Sequence, residues 1–185
     1  MIEAEYKAEL TTPDRVRAAL RERATPIAVS YWDTYYDTPD NRFDGSGREL
    51  RLRTVQDSTG RQWHLLTFKA PAVDTETGSK PEFETSVADR DAMQDIIFQL
   101  GFRPSISFTK RCENFEFTTA GRSMLATIAE VPEIAGTFLE LETRTEESDL
   151  PLALEDLRTV LAELGISPGE LTNKLYTDAV RQARR

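Results

Sequence analysis

The sequence predicts a strand-rich α+β domain, and three observations carry that expectation. Several runs place charged residues on one parity and apolar residues on the other, as in Glu3-Ala4-Glu5-Tyr6-Lys7 and Glu49-Leu50-Arg51-Leu52-Arg53. Side chains two apart in a strand share a face, so each run would carry a charged row opposite an apolar one. Other stretches have apolar residues at helical spacing behind helix-start residues and ahead of glycine. The chain has 185 residues, 39% hydrophobic and 30% charged, which suits one domain with a real core.

Residues 2–10 read as the first strand. Thr12 offers an N-cap and Pro13 suits the first helical position. Val16, Ala19 and Leu20 then fall on one helical face, with an end expected near Arg23 to Thr25. The β-branched and aromatic run 27–37 predicts a strand, followed by turn clusters at Thr38-Pro39-Asp40-Asn41 and Asp44-Gly45-Ser46-Gly47. In 49–55, Arg51 and Arg53 share a face. In 62–69, Trp63, Leu65, Thr67 and Lys69 share one parity and His64, Leu66 and Phe68 the other. Residues 70–79 have no period and read as a loop. Lys80, Glu82 and Glu84 alternate with Pro81, Phe83 and Thr85 in a further strand.

Asp89 can cap a second helix with an apolar stripe of Met93, Ile96, Ile97 and Leu100, stopped by Gly101. Residues 105–118 and 122–131 predict two strands around Thr119-Ala120-Gly121. Glu140 and Glu142 share a face in the strand 137–143, opposite Leu139 and Leu141. Ser148 can cap a third helix striped by Leu150, Leu154, Leu157, Leu161 and Leu164 and closed by Gly165. A last helix is expected from Leu171 to about Ala183. No domain boundary appears, so residues 1–180 are taken as one domain and 181–185 as a frayed tail.

Composition excludes several classes. The net charge of −9 argues against a nucleic-acid-coating protein. No apolar run is long enough to span a bilayer, which speaks against a membrane partner. The single Cys112 excludes an internal disulfide framework and suits a cytoplasmic location. The lone His64 leaves no histidine-based metal cage or Ser-His-Asp triad within the chain. If the strands closed into a small barrel, the charged parity would point inward, and inward charges must be paired or bind something. Acids and bases together could hold a polyphosphate and its divalent cation. Periodicity alone goes no further than a strand-rich domain with a charged cleft.

The ordered motifs carry a resemblance. Glu3-Ala4-Glu5-Tyr6-Lys7 resembles the E-x-E-x-K signature of the CYTH superfamily, the triphosphate tunnel metalloenzymes. Asp33 to Pro39 resembles the family's strand before the tunnel arginines, and Leu50-Arg51-Leu52-Arg53 its L-R-x-R run. Leu66-Thr67-Phe68-Lys69 is similar to its L-T-x-K run, Lys80-Pro81-Glu82-Phe83-Glu84 to R-x-E-x-E, and Gly136 to Glu142 to its closing G-x-F-x-E-x-E strand. The likeness runs from Ile2 to about Tyr176 and is strongest to the class IV adenylyl cyclase and thiamine triphosphatase branch.

The resemblance implies a closed eight-stranded antiparallel β-barrel, the triphosphate tunnel, with helices packed outside. It implies Mg²⁺ or Mn²⁺ as cofactor and a small-molecule triphosphate as partner: ATP, thiamine triphosphate or inorganic triphosphate. Glu3, Glu5, Glu82, Glu84, Glu140 and Glu142 would be the metal-side acids. Lys7, Arg51, Arg53 and Lys69 would act in catalysis and, with Lys80, Lys110 and Arg111, line the phosphate path. Cyclisation of ATP to cyclic AMP is favoured; hydrolysis of a triphosphate, or binding without catalysis, is the alternative.

Three departures bear on that transfer. Lys110-Arg111-Cys112 stands where the family has K-x-R, so strict alternation aims Arg111 outward unless a bulge restores it. Ala129 stands where the family often has an aspartate, which would remove a second metal contact. Lys80 in place of arginine keeps the charge and loses the bidentate fork. Other residues read as structural: Trp32, Tyr35 and Phe43 as core or rim packing, Cys112 as an inert small residue, and His64 as structural or exposed. Glu146, Glu147 and Asp149 read as a solvated helix entrance. The leucine stripe 150–164 reads as barrel packing, with a homodimer through it left open.

Overall fold

Eight antiparallel strands close on themselves in the computed structural model, which describes residues 1–185. They are β1 (Ile2–Glu9), β2 (Ile27–Asp37), β3 (Glu49–Asp57), β4 (Gln62–Lys69), β5 (Lys80–Val87), β6 (Arg103–Thr119), β7 (Arg122–Glu130) and β8 (Phe138–Thr145). Around the barrel the order is β1-β5-β4-β3-β2-β6-β7-β8. Four helices pack on it: α1 (Pro13–Arg21), α2 (Arg90–Gln99), α3 (Leu150–Glu163) and α4 (Tyr176–Ala183). No helix is long and apolar enough to cross a membrane. The expected fold is the observed one.

Two apolar layers lie outside the barrel. The even residues of β1, Ile2, Ala4, Tyr6 and Ala8, point outward and meet Leu139 and Leu141 of β8 and the α3 leucines. Leu157 is wholly buried there, and Leu150, Leu161 and Leu164 nearly so, so the leucine stripe packs on the barrel as expected. A smaller layer joins Tyr36, Leu52 and Val87 to Ile97 of α2. A third apolar cluster fills one end of the barrel, where Val29, Cys112, Ala129 and Phe138 meet Tyr176 and Val180 of α4.

Several local expectations are corrected. Thr12 precedes α1 but makes no side-chain cap, and α1 ends at Arg21. Asp89 does cap α2, accepting from the Asp91 and Ala92 amides. Of the α2 stripe only Ile97 is buried; Ile96 and Leu100 are 52% and 70% exposed, because one short helix shows the barrel a face narrower than its stripe. Ser148 lies inside a 3₁₀ turn over Glu147–Asp149 instead of capping α3. Residues 171–175 are extended, not helical: Leu171 bridges Ala8 and the Thr172 amide donates to the Lys7 carbonyl. Where a frayed tail is expected, Arg181 lies in the last turn of α4, and Arg184 grips Glu133 and the Ser107 carbonyl.

Candidate active site

The register decides which side chains enter the barrel. Glu5 lies opposite Glu142, Lys7 opposite Glu140, and Glu3 between Arg144 and Lys80. Asp33 faces Arg53 and Tyr35 faces Arg51 across β2 and β3; Thr67 faces Glu84 and Lys69 faces Glu82 across β4 and β5. All of these except Asp33 and Thr67, which stand behind Arg53, Arg51 and Glu84, line one interior cavity of about 430 Å³. The parity that keeps apolar residues outside against the helices therefore puts the charged parity in a shared hollow.

Three of the six acids assigned to the metal converge. Glu3, Glu5 and Glu142 each offer a carboxylate oxygen, all within 4.8 Å of one another. Burial, with repulsion from Glu140 and Glu3, pushes Glu5 up to about 7. Burial, with repulsion from Glu3 and Glu5, likewise raises Glu142 well above the usual carboxylate range. The other three acids are held by the protein's own cations, as is Glu3, which shares Lys69 with Glu82. Glu140 lies 3.2 Å from Lys110; burial opposes its ionisation, but Lys110, Lys7 and Arg53 bring it down to about 2. Glu82 lies 2.9 Å from Lys69 and 3.5 Å from Arg144. Glu84 accepts from the Thr67 hydroxyl at 2.8 Å and lies 3.8 Å from Arg51.

The cations are fixed with similar care. Lys69 bridges Glu3 and Glu82, and although burial disfavours its charge, Glu3, Glu5 and Glu82 hold its pKa well above normal. Arg53 forks onto Asp33 at 2.6 and 2.8 Å and stacks over Tyr31 at 4.1 Å. Asp33 is buried, yet Arg53 and Arg51 hold its carboxyl below the usual range. Lys80 pairs with Glu49. Lys7 donates to the Lys174 carbonyl, and Tyr176 spreads its ring 4.7 Å from both Lys7 and Lys110. Arg51 donates to Thr67 at 3.2 Å, while its Nε is buried with no hydrogen-bond partner. A buried guanidinium N–H without an acceptor in a cavity calls for a ligand oxygen.

One assigned residue is elsewhere. The β6 register runs without a bulge at Lys110-Arg111-Cys112, so Arg111 points outward and is exposed. Its assignment to the phosphate path is corrected, since strict alternation admits only Lys110 and Cys112. Cys112 is buried in the apolar end, where burial pushes its thiol up to about 12. Ala129 is wholly buried in the same apolar cluster. It is four residues along β7 from Leu125, the partner of Glu142, or about 13 Å at strand rise. The three convergent carboxylates do not draw on that position. Trp32 and Phe43 lie outside the tunnel, Phe43 against Phe102 at 4.8 Å, but Tyr35 lines it, stacked on Phe108. His64 lies 3.0 Å from Thr54, facing away from the cavity.

Sequence reading missed Asp33, Glu49, Glu116, Arg144 and Tyr176, all of which enter or brace the cavity. Parity could have found Glu49 and Arg144, which stand two residues from Arg51 and Glu142. Nothing local marks Tyr176, which arrives from the last helix.

The CYTH domain family matches residues 1–176 of the chain. The chain belongs to the CYTH family. A Methanocaldococcus jannaschii protein provisionally named an adenylate cyclase is 26% identical, over 96% of this chain and 98% of its own. The adenylate cyclase CyaB of Aeromonas hydrophila is 25% identical, over 98% of this chain and 90% of its own. A Hippeastrum protein that bears an adenylyl cyclase name and is described as having a dominant triphosphatase activity superposes with a TM-score of 0.67. It is 15% identical, with 98% of this chain and 95% of that one covered, and shows the fold alone. In this CYTH chain the interior acids and bases line one shared cavity.

Proposed function

We propose that this CYTH protein is a metal-dependent enzyme acting on a triphosphate, with cyclisation of ATP to cyclic AMP and pyrophosphate as its reaction. The observation that carries this reading is the meeting of Glu3, Glu5 and Glu142 beside buried, oriented cations in one cavity. Three oxygen donors with no protein cation between Glu5 and Glu142 fit a hard divalent ion, so Mg²⁺ or Mn²⁺ would be held there. When bound, that ion would neutralise phosphate charge and polarise a phosphoryl oxygen.

The rest is done by side chains of the chain itself. Arg51, Arg53, Lys69 and Lys110 would bind the phosphate oxygens, exchanging carboxylate partners for the ligand's stronger charge. Arg51 brings a free Nε–H to that task. Asp33 orients the Arg53 fork. Lys7 and Lys80, now held by the Lys174 carbonyl and by Glu49, would add charge at either side. Binding the leaving pyrophosphate more firmly as its charge develops is what would accelerate transfer. In cyclisation the ribose 3′-oxygen bonds to the α-phosphorus, the bond to pyrophosphate breaks, and no protein nucleophile is needed. The names of the Methanocaldococcus and Aeromonas relatives favour this over hydrolysis.

The test is incubation of purified protein with ATP, thiamine triphosphate and inorganic triphosphate in Mg²⁺ or Mn²⁺, at neutral and alkaline pH, with products resolved by chromatography. Cyclic AMP and pyrophosphate from ATP are expected. Orthophosphate alone would make the protein a triphosphatase. Turnover of none would leave a non-catalytic binder.

A further inference from the structure

The tunnel wall changes character along two neighbouring strands. Inward residues on β3 run Glu49, Arg51, Arg53, then Val55; on β4 they run Lys69, Thr67, Leu65, then Trp63. The change falls at the same register, because Arg53 pairs with Leu65 and Val55 with Trp63. β2 continues the apolar part, with Tyr31 paired to Val55 and Ile27 beyond it. The far end of these strands is therefore an apolar patch inside a charged tunnel. It opens to solvent: Ile27 is 52% and Trp63 36% exposed, so both stand at the mouth.

This patch has a purpose that phosphate binding does not supply. Bare triphosphate is charged throughout and gains nothing from Trp63, Leu65 or Ile27. A partly exposed indole continuous with a phosphate path, with the Arg61 guanidinium 6.0 Å from its ring centre, suits a planar, uncharged group attached to the triphosphate, which would slide between the two or displace the arginine. One acid also stands there. Glu116 on β6 is the residue opposite Leu125 and two beyond Asn114, the partner of Ile27. It lines the cavity and, unlike Glu140, Glu82 or Glu84, has no ion pair. Asn114 is already engaged with Tyr31 and Thr127, which leaves Glu116 as the free acceptor at this mouth.

Resting on the triphosphate reading above, we propose that Trp63, with Ile27 and Leu65, stacks the base of a nucleoside triphosphate and that Glu116 accepts from its amino group. These residues select a nucleotide over inorganic triphosphate. Stacking tolerates several bases, so the acceptor at Glu116 adds the preference for an amine-bearing one.

The experiment titrates the whole protein, in Mg²⁺, with the bis-methylene analogues of ATP and of inorganic triphosphate, which resist cleavage. Trp63→Ala is expected to weaken the ATP analogue about tenfold or more, the range of a lost base stack, and to leave the bare triphosphate within about twofold of wild type on the same scale. Trp63→Phe keeps most of the ATP affinity, and Glu116→Gln weakens the ATP analogue alone. Equal loss of both ligands in Trp63→Ala, or loss of neither, overturns the assignment while the triphosphate reading stands. Failure of the wild type to bind either analogue overturns both.

Discussion

Asp33 pairs with Arg53 across β2 and β3, and its carboxylate has no solvent at all. It stays ionised because Arg53 holds both of its oxygens. Breaking one side of such a pair leaves a buried charge without a partner, at a cost of about 3–5 kcal/mol. Asp33→Asn should therefore lower the urea midpoint at pH 7 by a large margin. The pH dependence has a definite sign. The folded pKa of Asp33 lies below the unfolded 3.8, so its stabilisation is complete above pH 3.8 and is lost as the pH falls further. Wild type should lose stability below that point, and Asp33→Asn should show a shallower fall; equal acid limbs would count against the pair. The three convergent carboxylates work the other way. Glu142→Gln should raise the melting temperature of metal-free protein by relieving repulsion with Glu3 and Glu5, and should abolish the upward shift that Mn²⁺ gives wild type. The shared charged faces of Glu3, Glu5 and Lys7 and of Arg51 and Arg53 were legible from parity, and their closing, with Lys69, into a tunnel was legible only through the family resemblance. Which of them pair was not, because pairing depends on register between strands distant in sequence, as with Lys69 and Glu3.

The elements divide into strands that the sequence marks clearly and packing that it does not. Charged and apolar residues alternate along β1, over residues 49–53 in β3 and over residues 80–84 in β5, so the bounds of these strands emerge within a residue or two. The α2 stripe was misjudged since periodicity reports an apolar face without saying how wide the receiving surface is. Residues 171–175 look helical by composition, but hydrogen bonds to Lys7 and Ala8 hold them extended. Helix α3 covers β1 and β8, so Leu157→Ala should cost about 2–5 kcal/mol in chemical denaturation; a change under about 1 kcal/mol would mean that the face is loosely packed. Helix α4 seals the apolar end over Cys112. In the native protein that thiol should resist Ellman's reagent at pH 8, since burial both hides it and raises its pKa to about 12. Val180→Asp, which puts a charge into this cluster, should make it react within minutes; fast labelling of wild type would contradict the seal.

The closed barrel gives the whole molecule two separate interiors. Outside the wall, apolar layers under α2 and α3 supply the burial that holds the fold. Inside, charges that would each be costly alone persist because closure brings acids and bases from several strands within reach. Stability and chemistry are thus written on opposite parities of the same strands, and a one-residue slip of register would exchange them. The central claim is that the interior binds a triphosphate through its cations and a divalent ion through Glu3, Glu5 and Glu142. The most direct measurement is calorimetric titration of bis-methylene triphosphate into wild type, Arg51→Ala and Glu142→Gln, each with and without Mn²⁺. The account predicts tight binding to wild type that Mn²⁺ strengthens, a loss of about tenfold or more in Arg51→Ala, and no Mn²⁺ enhancement in Glu142→Gln. Binding that neither substitution alters, or no binding by wild type, would contradict it.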